Sequence, residues 1–201
     1  MSDKRTTYAI GAIVVAFALV LGTVAGSTSL TPISVTSQDP MQMTGHVILT
    51  LTDADGDIKA YRQTDNIIVR NGMDCSADLL FGDETGTGLC DPAAFFTSIA
   101  IGSSDASVDI SQTTLTAEVT SSTPARNGTL SAEVAATVSV GAKKSVEGTF
   151  NIGGSFDVKE VGLFDDATSN SGNMFSRILI TPTIPVLSGD TVKITYVVTV
   201  G

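Results

Sequence analysis

Three carboxylates, Asp53, Asp55 and Asp57, stand at every second position around Gly56. That spacing can turn acidic oxygens toward a hard cation such as calcium, which takes six to eight oxygen ligands. An EF-hand loop would need glycine at its sixth position and a bidentate glutamate at its twelfth. Those positions hold Ile58 and Thr64, so that loop is excluded. The competing reading, and the leading one, is an acidic hairpin turn without metal. Asp165-Asp166 is a second, weaker acidic turn. His46, the only histidine, opens a strand pattern and reads as a surface or hydrogen-bonded edge residue.

The remaining reactive types are few. Cys75 and Cys90 enclose a stretch rich in glycine and acids, and a disulfide between them is the leading reading for an exported chain. In the chain-entropy picture such a closure contributes about 3 kcal/mol. Asn127-Gly128-Thr129 is an N-glycosylation sequon, a motif common by chance. No nucleophile-elbow serine, paired metal-ligating histidines, phosphate loop or strand–helix Gly-x-Gly-x-x-Gly is present. With no Trp and three Tyr, a sugar-stacking platform is not expected either. No catalytic residue, cofactor or enzyme activity is therefore assigned.

The elements that carry these residues begin with an apolar run from Tyr8 to Ala25, preceded by Lys4 and Arg5. At 1.5 Å per residue the run reaches about 27 Å as a helix, near the thickness of a bilayer core. The basic flank stays inside, so the rest of the chain faces outward. Two fates stay open, cleavage near Thr23–Gly26 or retention as an anchor. The run exceeds an ordinary signal h-region, which favours the anchor. A pilin-like leader is a third, minor option. The divisions expected are a membrane anchor or signal segment over 1–26, a stalk over 27–44 and a β-domain over 45–201. Within the stalk, Ile33-Ser-Val-Thr-Ser37 alternates briefly and could pair as a strand.

Over 201 residues, charged side chains make up 16 % and hydrophobic ones 42 %, with Thr, Ser, Val, Ile and Gly abundant. That balance favours strands and turns. Setting aside Asp3, Lys4 and Arg5 leaves 9 basic against 20 acidic side chains over residues 27–201, a net charge of −11. Such a surface repels phosphate backbones, so nucleic acid is not an expected partner.

Alternation then marks the strands. Val47, Leu49 and Leu51 share one face, and Ile58 to Gln63 returns after the acidic turn. Ile67 and Val69 mark another short strand, closed by an Asn71-Gly72 turn. Met73 to Phe81 has the one helical spacing. Phe95 to Ile101 reads as a buried strand. Leu130, Ala132, Val134, Ala136, Val138 and Val140 alternate over eleven residues and should pair in a long hairpin with Val146, Phe150 and Ile152. Val158 to Phe164 follows. Met174 to Ile180 ends at Pro182 and Pro185, and Val192, Ile194, Tyr196, Val198 and Val200 finish the chain. Eight or nine short strands and one short helix predict an all-β, antiparallel β-sandwich, jelly-roll-like or immunoglobulin-like.

Lys159-Glu-Val-Gly-Leu-Phe164, Asn173-Met-Phe-Ser-Arg177 and Ser188-Gly-Asp-Thr-Val-Lys-Ile-Thr-Tyr196 resemble the closing strands of bacteriophage tail-fibre and tail-collar-type β-sandwich domains. Gly45-His-Val-Ile-Leu-Thr50, Gln63 to Val69 and Asp78-Leu-Leu-Phe81 resemble their opening. The resemblance covers about residues 45–201 and implies a sandwich without catalytic signature. A membrane segment departs from such proteins. The expectation is an exported cell-surface structural or adhesive protein, anchored in the cell envelope through residues 8–25, with other protein subunits or surface partners. A homo-oligomer is compatible with it. The alternatives are a pilus-like extracellular filament assembled by strand exchange, or a virus-encoded tail-fibre or spike-like protein.

Overall fold

The structure is a computed structural model that describes residues 42–82, 95–122, 126–137 and 141–201. The anchor segment 8–25 and the stalk strand Ile33–Ser37 lie outside these residues. Among the described residues no helix is long and apolar enough to cross a membrane. Met41–Gly201 forms one compact unit.

Eight strands build that unit: β1 (Met43–Thr52), β2 (Ile58–Ile68), β3 (Ser98–Gly102), β4 (Thr129–Val134), β5 (Ala142–Asn151), β6 (Phe156–Phe164), β7 (Met174–Val186) and β8 (Thr191–Val200). One helix, α1 (Arg70–Phe81), follows β2. All pairings are antiparallel, in the order β3-β6-β7-β2-β1-β8-β5-β4. Among the described residues the chain is thus all-β with one helix, as its composition predicts. β1 begins at Met43, two residues inside the segment expected as stalk.

The alternating residues do what period-two burial requires. Val47, Leu49 and Leu51 of β1 and Val192, Ile194 and Tyr196 of β8 are all buried. They sit directly across from one another, Val47 with Tyr196, Leu49 with Ile194 and Leu51 with Val192. Val146 and Phe150 of β5 extend the layer. Ile99 and Ile101 of β3, with residues of β6 and β7, close over it from the other half of the sheet in one apolar cluster. Each large aliphatic or aromatic side chain so enclosed stabilises by about 1.5–3 kcal/mol.

One continuous sheet, folded over, makes both halves of this core. β2 and β7 join the halves through two residue pairs only, Ile67–Arg177 and Ile68–Ser176. At the opposite side the sheet nearly closes. Ile99 and Asn127 exchange both backbone hydrogen bonds, each 3.0 Å. Gly128 makes that closure sterically feasible, because a Cβ there would lie 2.0 Å from the Thr97 carbonyl oxygen.

Four local expectations are corrected. β2 runs unbroken through residue 68 instead of forming two strands. Asn71-Gly72 belongs to the first turn of α1 and is no strand turn; α1 packs so close to β7 that a Cβ on Gly72 would lie 2.2 Å from the Phe175 carbonyl oxygen. β7 continues past Pro182 and through Pro185, pairing only with β6 there, so one side of the strand asks for no N–H donors. β4 stops at Val134, and a register shift between Leu130 and Ala132 breaks the expected alternation. Leu130 pairs with core-facing Val146, whereas Ala132 and Val134 pair with Ser145 and Lys143 on the outer face. Val138 and Val140 lie outside the described residues.

Candidate functional site

The acidic triplet does not converge. The Asp53 carboxylate turns onto its own hairpin, where Oδ1 accepts the N–H of Asp55 at 3.0 Å and of Asp57 at 2.9 Å. Gly56 adopts φ +90° and donates to the Asp53 carbonyl at 3.1 Å. The residue types fit this role, since an aspartate that caps neighbouring N–H groups nucleates a turn. Among the described residues no group of three His, Cys, Asp or Glu side chains could hold a metal ion. The calcium reading therefore finds no ligand set at Asp53, Asp55 and Asp57. Asp165 and Asp166 are turn-capping in the same way. Asp165 accepts the Asn173 N–H at 2.6 Å, and Asp166 accepts the Thr168 N–H at 2.7 Å.

His46 lies across from Asp65 on β2, with Nδ1 2.9 Å from Oδ1 on the solvent side. Asn127 is exposed at the sheet closure, and its Nδ2 donates to the Thr149 carbonyl at 2.7 Å. The side chain that a glycan would use is thus already a tie between the end of the long connection and β5. Cys75 is fully buried on α1; Cys90 lies outside the described residues.

The strongest chemistry is inside, at residues the sequence offered only as parts of strand motifs. Glu160 on β6 and Arg177 on β7 are both fully buried. Arg177 Nε donates to Glu160 Oε2 at 2.7 Å, with Nη2 also 2.7 Å from that oxygen. The rest of the guanidinium reaches the connection after β3: Nη2 to the Ala106 carbonyl at 3.0 Å, Nη1 to the Ser107 carbonyl at 3.2 Å and to Gln112 Oε1 at 3.0 Å. Glu160 accepts the N–H groups of Ala117 at 2.7 Å and Thr116 at 3.2 Å. A buried ion pair is tolerated only when its remaining donors and acceptors are met. Here the loop backbone supplies them.

A second pair repeats the device. Arg126 binds Glu118 through Nε at 2.9 Å and Nη2 at 2.8 Å. Its guanidinium carbon lies 3.6 Å from the centre of the Phe164 ring. Nη1 donates to the carbonyls of Asp166 and Ser171. Burial pushes the Glu118 carboxyl up, but the hydrogen bonds and charge of Arg126 outweigh it and hold the group below the usual glutamate range. Both pairs face inward onto the connection and carry no open coordination or nucleophile. Their physical effect is to fix an irregular segment against the sheet. One signal could have found the first pair: Glu160 and Arg177 sit inside otherwise apolar strand runs and demand partners.

Apolar groups also reach the surface. A cleft of about 350 Å3 lies between the two halves of the folded sheet, lined among others by Met43, Phe95, Leu130, Val146 and Phe175. Phe95 is 65 % exposed and Leu130 59 % exposed at its rim. Phe96 and Phe175 pack with ring centres 5.0 Å apart beneath. Beside it β4 is exposed at all six residues.

No protein-family model matches the chain, and no curated protein matches it.

Proposed function

We infer that this chain is an exported structural or adhesive protein of the cell envelope. Residues 8–25 hold it in a membrane, and the all-β body faces the outer side as a jelly-roll-like or immunoglobulin-like sandwich for contact with other protein subunits or surface partners. The observation that carries the reading is the division of polar and apolar groups in the body. Its buried ions, Glu160 with Arg177 and Glu118 with Arg126, bind the body's own connection. Beside exposed charged side chains, its surface shows a strand edge and an apolar cleft. That division suits a rigid display scaffold. A disulfide between Cys75 and Cys90 would close the segment between α1 and β3, as expected for an oxidising exterior.

Two motif residues of the tail-fibre resemblance, Glu160 and Arg177, are the ion pair itself, so a virus-encoded fibre or spike remains the second reading. Washing native membranes at alkaline pH tests the first. The full chain should stay in the pellet and need detergent for release. Recovery in the soluble cytosolic fraction would end the reading.

A further inference from the structure

The two lateral edges of the sheet are finished differently. The outer side of β3 is occupied: besides Asn127 on Ile99, Val119 donates to Ile101 at 2.9 Å and Ser103 donates to Ala117 at 2.9 Å. β4 pairs with β5 alone among the described residues. Its sequence, Thr-Leu-Ser-Ala-Glu-Val, lacks proline and lysine. Its single charge, Glu133, is held by Lys144. Edge strands are ordinarily blunted by such residues or by a bulge; the register shift between Leu130 and Ala132 leaves Ala132–Val134 regularly paired with β5, and that stretch offers a template for a further strand. The apolar cleft opens beside it, with Leu130 on its rim.

We propose that β4 and this cleft accept a strand from a second copy of this chain, formed by its residues Ile33–Ser37. The proposal rests on the reading of residues 27–44 as an exported stalk. Three physical arguments select that occupant. Ile33 and Val35 alternate with Ser34 and Thr36, so an added strand would put Ile33 and Val35 on one face, toward the cleft. The segment 33–37 carries no charge. The exported part of each copy has a net charge of −11, so direct docking of two bodies is opposed by repulsion that a neutral tethered strand avoids.

Reach then favours a second copy over the chain's own body. A strand antiparallel to β4 runs in the same direction as β1, and four residues, Gln38–Met41, separate Ser37 from Gln42. They span at most about 18 Å. The outer side of β4 lies four strand spacings from β1 along the sheet, about 19 Å, and the return must also cover the length of the added strand. A neighbour has no such limit. Donation from each copy to the next is head-to-tail, and a head-to-tail contact that does not close on itself grows a filament.

The test uses the full chain in its native membrane, co-expressed in two differently tagged versions, one carrying the photoreactive benzoylphenylalanine at Val35. Irradiation should give a dimer that holds both tags, with the cross-linked peptide falling within residues 129–134. A cross-link confined to one chain, a cross-link to another surface, or no dimer would overturn the proposal. A second measurement uses Ile33→Asp/Val35→Asp, whose changes lie outside the β-body. Multimers solubilised in mild detergent should fall by about tenfold or more, the loss expected when apolar contacts worth at least one decade of affinity are removed. Unchanged multimers would overturn the proposal as well. Membrane and cytosolic fractions are scored in the same samples. A chain that stays in the membrane but does not cross-link refutes the strand exchange alone, while a cytosolic chain refutes the surface reading.

Discussion

Replacing Arg177 by methionine removes the most heavily engaged side chain of the interior. The change deletes the contact with Glu160, frees the carbonyl of Ala106 and takes one bond each from the Ser107 carbonyl and Gln112 Oε1, which keep Gln112 Nε2 and the Asp109 N–H. Glu160 keeps only its bonds from Ala117 and Thr116. Stranding a buried carboxylate in this way destabilises by about 3–5 kcal/mol. The companion experiment replaces both partners, Glu160→Met with Arg177→Met. For an isolated ion pair in a core, apolar replacement is often neutral or stabilising. Here four hydrogen bonds to the backbone of the connection are lost too, three of them the partner of an Ala106, Thr116 or Ala117 group, so the double variant should stay at least about 2 kcal/mol below the parent, at roughly 1 kcal/mol per bond less compensation by new apolar contact. Urea unfolding of the full chain in detergent, followed by far-ultraviolet circular dichroism, measures both. Hydrogen exchange across residues 103–119 should accelerate in each variant. A double variant as stable as the parent, with that segment still protected, would refute the claim that the pair anchors the connection.

Three further outcomes follow from the geometry. Burial pushes the Tyr196 phenol from 10.0 up to about 12, against the hydrogen bond from Ser176. Because the folded value is the higher one, its stabilising contribution is intact below pH 10 and is lost as pH rises toward 12, a fall of about 3 kcal/mol that Tyr196→Phe should remove from the alkaline limb of a stability–pH curve. Gly72→Ala should destabilise by about 1–3 kcal/mol, since the clash with the Phe175 carbonyl outweighs the better helix propensity of alanine, and thermal unfolding would show it. Asp53→Ala should cost about 1 kcal/mol through lost turn hydrogen bonds, equally with and without added calcium, in parallel denaturant titrations.

Local alternation and global packing agree along β1 and β8, where neighbours on both sides impose the period-two burial. The helix over Met73–Phe81 was equally legible from its spacing, while its true start at Arg70 was hidden by Asn71-Gly72, a turn signal outweighed by tight packing on β7. β4 shows the converse. Leu130, Ala132 and Val134 alternate in sequence, but a register shift splits them between two faces, and a shift of that kind depends on the partner strand. Pro182 and Pro185 suggested a strand end because sequence cannot say that one side of β7 is unpaired there. Glu160 and Arg177 lie seventeen residues apart, joined only by the β6–β7 pairing. Their partners come from the irregular connection, whose path no periodicity encodes.

Labelling of intact native cells with a membrane-impermeant amine reagent addresses the exported, anchored body most directly. The exposed lysines Lys144 and Lys193 should react without lysis, on a protein that sediments with membranes. Labelling that appears only after the cells are broken open would contradict the account.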